Sequence, residues 1–123
     1  MSLFRIALAN LRIPRSRQES VTLAEGAIAG AAAKHAEILC FPECFVAGYR
    51  GSGRKVPPPD AQFVEQAWSK IAGAAEKASV AVILGTEREV DGRLRITALV
   101  INADGSVAGF QDKVQLDPSE EST

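Results

Sequence analysis

One histidine, two cysteines and no excess of positive charge remove several functions before any motif is read. A zinc site usually draws four ligands from cysteine and histidine, and Cys40 and Cys44, spaced C-x-x-x-C, are a poor match. Net charge is -1, whereas a nucleic-acid surface needs a clear basic excess, so no nucleic-acid partner is expected. No apolar run approaches the ~20 residues that span a bilayer, which argues against a membrane partner. The opening MSLFRIALANLRIPRSRQ interrupts its apolar stretch at Arg5 and lacks the order and cleavage site of a secretory signal, so a cytoplasmic protein is expected. If Cys40 and Cys44 lie on one extended strand, they stand about 13 Å apart. A disulfide needs Cα atoms within about 7 Å, so two buried, reduced thiols are the plainer reading.

What remains is an ordinary globular composition, with 46% apolar and 24% charged residues. The 123 residues suit one domain with its own core. Phe4, Ile6 and Leu8 share one face of an extended run over 4–11 that Pro14 ends. Ser16 and Glu19 form an S-x-x-E capping box, and Val21, Ala24, Ile28, Ala31 and His35 follow at helical spacing. Gly26 and Gly30 in that helix are expected to let it approach a sheet closely. EILCFPE at 37–43 reads as a strand buried on both faces, and the Gly/Pro-rich VAGYRGSGRKVPPP at 46–59 as a basic loop. Asp60 caps a second helix, with Phe63, Val64, Ala67, Trp68, Ile71, Ala74, Ala75 and Ala78 as its apolar stripe. SVAVILGTE at 79–87 is another buried strand. Asp91-Gly92 and Asp104-Gly105 mark hairpin turns on either side of LRITALVIN. The order β-α-β-α-β-β-β predicts an α/β fold: a mixed sheet with helices on one face, its early strands joined by right-handed crossovers.

Two residues stand where chemistry is expected. Glu43 follows an apolar strand and a proline, at the carboxyl end where α/β sheets bind ligands. Phe41 and Phe45 would desolvate it and push its pKa toward general-base territory; the plain alternative is a solvated carboxylate at a loop start. Lys113 lies between Phe110 and Val114 in a strand-like segment, either turned inward toward a carboxylate or out to solvent from an edge. Cys44 is beside Glu43, but alternation along a strand would send the two side chains to opposite faces. Cys40 reads as core, and His35 as a partner for the helix C-terminus. Arg50, Arg54 and Lys55 either bind an anionic substrate group or make a solvated basic loop. The glycines of GYRGSGR do not form a dinucleotide fingerprint.

Taken together, RIALANL, ILCFPECFVAGYRG, VAVILGTERE and LRITALVINADGSVAGFQDKVQLDPSEE resemble the first strand, Glu motif, central strands and Lys motif of the carbon–nitrogen hydrolase (nitrilase/amidase) family. The resemblance implies the first half of a four-layer α-β-β-α sandwich. It makes residues 1–123 a partial domain, the N-terminal half, ending after the Lys motif. It implies hydrolysis of a non-peptide amide, carbamoyl or nitrile C–N bond through a Glu-Lys-Cys triad, with no metal or organic cofactor. Glu43 would be the general base and Lys113 the oxyanion stabiliser. Glu120 and Glu121 are equal candidates for a second glutamate, and Tyr49 for a substrate contact. The nucleophilic cysteine of that family lies beyond Lys113, where this chain has none. The chain alone is therefore expected to be inactive, whether a proteolytic fragment, a truncated gene product or a half whose partner supplies the thiol. The competing reading is a non-catalytic binding or assembly module on the same scaffold. The expected partners are a small amide or nitrile and, because one sheet face would be left uncovered, a second copy of the chain packed sheet against sheet.

Overall fold

The computed structural model describes residues 3–50 and 55–114. Along the chain these form β1 (Ile6–Leu8), α1 (Arg17–Ala33), β2 (Ile38–Cys40), α2 (Ala61–Ala78), β3 (Ala81–Val90), β4 (Arg93–Ile101) and β5 (Val107–Asp112). The five strands make one sheet in the order β1-β2-β3-β4-β5. The first three pair in parallel and the last three antiparallel. This is the α/β class and the succession expected from the sequence.

Local chemistry sets the element ends. Ser16 Oγ accepts the Glu19 N–H at 3.0 Å to start α1, and Asp60 accepts the Phe63 N–H at 3.1 Å to start α2. Asp91 (φ 52°) and Gly92 (φ 76°) both turn left-handed, as a two-residue hairpin joining twisted strands requires. The early strands are shorter than expected, three residues each. Pro42, having no N–H, cannot extend the β2 ladder much beyond the Phe41 N–H, which still reaches Ile83 O at 2.9 Å. His35 takes a left-handed φ of 60° just past α1, donating its backbone N–H to Ala32 O at 3.0 Å. It serves as a helix-terminating residue through its backbone.

The two faces of the sheet differ. Leu39, Val82, Leu84, Leu99 and Ile101 point toward the helices and are buried against Ala24, Ile28, Ile71 and Ala75. Two successive right-handed crossovers put α1 and α2 on that one side. Ala24 and Ala31 make the close approach of α1; Gly26 and Gly30, expected to do so, face open space. On the other face Ile6 is 60% and Leu8 76% exposed. They continue a register row through Ile38, Cys40 and Ile83, all only half-buried. The early strands are thus covered on one side, where the sequence predicted burial on both. Cys40 is half-buried on the open face, a correction to its reading as core.

Candidate functional site

The site lies where the parallel strands end. The loop after β1 and the loop after β2 diverge there, and between them is a cleft of about 620 Å³. Its walls include Pro14 and Arg15 on one side, Glu43, Cys44 and Tyr49 on the other, and Lys55 at residues leading into α2.

Glu43 enters the cleft on a turn that rests on β3. A Cβ at Gly85 would overlap the Pro42 carbonyl and stand 2.9 Å from Glu43 Cα, so only glycine lets the turn settle there. Gly85 pairs with Ala98 on β4, and Ala98 with Gln111 on β5. These residues share the face turned away from the helices. Two small residues in a row leave room for a side chain to cross above β4. Lys113 follows β5, its backbone N–H donating to Ile96 O at 2.7 Å. Its Nζ stands 3.0 Å from Glu43 Oε1. A carboxylate and an ammonium 70 positions apart are thereby joined across the sheet.

The surroundings of Glu43 are more open than the sequence implied. Its side chain is 43% exposed, and that of Lys113 31%. Phe41 and Phe45 pack on each other, ring centroids 5.5 Å apart, and do not enclose the carboxylate. The argument from strand alternation for Cys44 also falls away. β2 ends at Cys40, and Cys44 sits in the turn with φ 50°, buried, on the cleft wall.

Arg50, unlike the exposed Lys55, departs from both sequence readings of the basic loop. It neither meets solvent freely nor offers its charge to a substrate. Its Nε and Nη2 donate to the two oxygens of Glu87 at 2.7 and 2.9 Å, and its Nη1 donates to Pro57 O at 2.6 Å. The Glu87 hydrogen bonds, more than offsetting burial, raise the Arg50 pKa above its ordinary value, with a smaller electrostatic contribution from Cys44. Glu87 is 2% exposed on β3 and was not singled out from the sequence. The available signal was a glutamate closing the apolar run 79–87, past which the strand in fact extends to Val90. Tyr49 is half-buried on the cleft wall, and Lys55 is exposed at its rim. Arg54, Glu120 and Glu121 lie outside the described residues. Among the described residues no cluster of His, Cys, Asp and Glu is arranged to hold a metal ion, and no helix is long and apolar enough to cross a membrane.

Comparison with known proteins places the chain in a family. A family model described as carbon–nitrogen hydrolase matches residues 5–123. Omega-amidase NIT2 from Homo sapiens is 33% identical over 118 residues, covering 94% of this chain and 42% of that protein. Its counterpart from Danio rerio is 27% identical over 123 residues. Among solved structures, the NitN amidase from Nesterenkonia sp. AN1 superposes with a TM-score of 0.83 at 30% identity, covering 98% of this chain and 48% of that one. Another structure of that amidase, a variant in complex with butyramide, superposes at 0.81 with 30% identity, covering 97% and 46%. A third records Michael addition of acrylamide at its active-site cysteine (TM-score 0.80, 28% identity). The chain spans less than half the length of the relatives it matches.

Proposed function

Because the chain belongs to the carbon–nitrogen hydrolase family, we propose that it carries the general base and the oxyanion-stabilising cation of a small-amide hydrolase. The observation that carries this reading is the 3.0 Å contact between Lys113 Nζ and the Glu43 carboxylate beside an open cleft. Glu43 takes the proton of a cysteine thiol as its sulfur bonds the amide carbon. The carbonyl electron pair moves onto oxygen, where the Lys113 ammonium balances the new charge. The proton on Glu43 passes to the nitrogen, the C–N bond breaks, and ammonia leaves a thioester. Glu43 next takes a proton from water, whose oxygen attacks the thioester. The C–S bond breaks, the acid departs and the proton returns to the thiolate. No metal or organic cofactor enters any step.

The attacking thiol is assigned to a cysteine outside residues 1–123. Cys40 is in β2 on the open face, and Cys44 is only 5% exposed. Tyr49 is assigned to the substrate wall, and Glu120 or Glu121 to a second glutamate. The chain by itself then releases no ammonia. The test is ammonia release from butyramide and from a panel of amides, carbamoyl compounds and nitriles, using the polypeptide expressed from the native gene. Turnover of amides that Glu43→Gln removes is expected. No turnover on any substrate would favour a non-catalytic module on the same scaffold.

The open sheet face is the surface on which a second sheet belongs, from another copy of the chain or from further polypeptide. Ile6 and Leu8 are 60% and 76% exposed there, and their row continues through the half-buried Ile38, Cys40 and Ile83. Light scattering on the isolated 123-residue chain is expected to report association. A stable, dilute monomer would remove the proposal.

A further inference from the structure

We infer that the Arg50–Glu87 ion pair is a positioning device, which clamps the wall of the cleft to β3, the strand on which the Glu43 turn rests. The inference rests on the reading of Glu43 and Lys113 as reacting groups.

Three bonds define the clamp. Glu87 is fixed by β3 and grips Arg50 at 2.7 and 2.9 Å. Arg50 in turn holds Pro57 O at 2.6 Å, so one guanidinium joins the two limbs of the loop, 46–50 and 55–57. Both limbs line the cleft, through Ala47, Gly48 and Tyr49 on one and Lys55, Val56 and Pro57 on the other. The first limb is also tied to β3 by its backbone: Val46 N–H donates to Gly85 O at 3.1 Å, and Glu87 N–H to Val46 O at 3.0 Å. Gly85, two residues before Glu87, is the seat of the Pro42–Glu43 turn. The stretch Gly85–Glu87 therefore fixes the base and the wall beside it as one unit.

The chemistry of the pair fits positioning better than simple filling. Apolar side chains of similar size would occupy the space without desolvating two charges. A guanidinium adds a planar fork whose donors leave in fixed directions, here three at once, two to a carboxylate and one to a carbonyl. The side chains of Arg50 and Glu87 are 15% and 3% exposed, so solvent competes little for those donors.

Glu87→Gln keeps the shape and one acceptor but sets an NH2 group against the guanidinium. The first measurement is alkylation by iodoacetamide, followed cysteine by cysteine on the chain. Cys44 is buried in the clamped wall, while Cys40, half-buried in β2 on the open face, serves as the internal control. Glu87→Gln is expected to speed labelling of Cys44 roughly tenfold with Cys40 unchanged, the mark of local rather than global opening. Arg50→Lys, which keeps the charge and loses the fork, should act in the same direction. The second measurement is turnover of small amides by the polypeptide expressed from the native gene. There Glu87→Gln should raise KM about tenfold with a smaller change in kcat, whereas Glu43→Gln should abolish kcat. Equal acceleration at both cysteines, or at neither, overturns the inference, as does a wild-type KM in Glu87→Gln. A wild-type polypeptide without turnover would count against the functional reading alone; the labelling ratio would still decide this one.

Discussion

Two ion pairs sit on the same face of the sheet, and they are built differently. Glu87 and Arg50 meet through two short bonds, with 3% and 15% of their side chains exposed. Lys113 Nζ stands 3.0 Å from Glu43 Oε1, with 43% of the Glu43 and 31% of the Lys113 side chain exposed. Each pair joins β3 or its neighbours to a distant segment, but only the first is enclosed by its loop. An enclosed, bidentate pair holds geometry, since neither charge has another place to go. An open pair can exchange partners, which the proposed proton-transfer group and oxyanion donor would do when a substrate arrives. On the proposed function, the difference separates a frame from the part available for reaction.

The largest expected effect breaks the contrast on its reactive side. Glu43→Gln should lower amide turnover by about 10⁴ or more, as loss of a member of a catalytic unit does. Its stability should scarcely change, since solvent-exposed pairs contribute roughly 0–1 kcal/mol. Steady-state kinetics and urea unfolding on one preparation check both. A variant that unfolds early and still turns over would assign Glu43 to the frame.

Glu87→Ala should do the reverse. Removing one member of an enclosed pair leaves the other charge uncompensated, at a cost of about 3–5 kcal/mol. The urea midpoint should fall accordingly, far more than for Glu43→Gln. If the two variants unfold together, burial does not distinguish the pairs and the comparison collapses.

The contrast was only half legible in the sequence. Element order was readable because it rests on local signals: the Ser16–Glu19 box, the Asp60 cap, the positive-φ turn at Asp91-Gly92 and the helical stripe ending at Ala78. Glu43 and Lys113 were singled out because one follows a strand, the other lies in a strand-like segment, and both match a family pattern; the structure brings them into contact. Arg50–Glu87 was missed because its partners are 37 residues apart, and no local rule sends a loop arginine to a strand carboxylate. The role of Gly85 was hidden for the same reason, since the backbone it admits arrives from Pro42. Enclosure of Glu43 was expected from Phe41 and Phe45, but neighbours in sequence lie in one turn here and pack on each other.

Gly85→Ala tests the seam between the two pairs. The added methyl group meets Pro42 and Glu43 backbone, which cannot rotate away as a flexible side chain would. Overpacking of this kind costs about 1–3 kcal/mol. The turn should lift, separating Glu43 from Lys113, so turnover should fall well beyond what the stability loss accounts for. Normal turnover in Gly85→Ala would mean that the Glu43–Lys113 contact tolerates displacement of its seat.

The smallest effect comes from a third pair, Arg12–Glu19, an exposed contact at the edge of the cleft, which gives the baseline for a solvated pair. Arg12 Nη1 donates to Glu19 Oε1 at 2.6 Å, and the Arg15 backbone N–H donates to the same oxygen at 2.7 Å. Those bonds, the Arg12 one foremost, lower the Glu19 pKa from 4.5 to about 2. A depressed carboxylate pKa means that the unfolded chain binds more protons than the folded one between these values. The contribution is therefore fully present above pH 4.5 and is lost as pH falls through about 2. Glu19→Gln removes that dependence. The stability gap between wild type and variant should be constant from neutral pH down to the unfolded pKa, then shrink as acid titrates the folded carboxylate. Unfolding midpoints for both proteins across that range check it. Added salt should narrow the gap at neutral pH as well, because an exposed pair is screened where the enclosed Arg50–Glu87 pair is not. A gap that widens with falling pH would reverse the sign and show that the Arg12 and Arg15 contacts do not hold Glu19 in its ionised form.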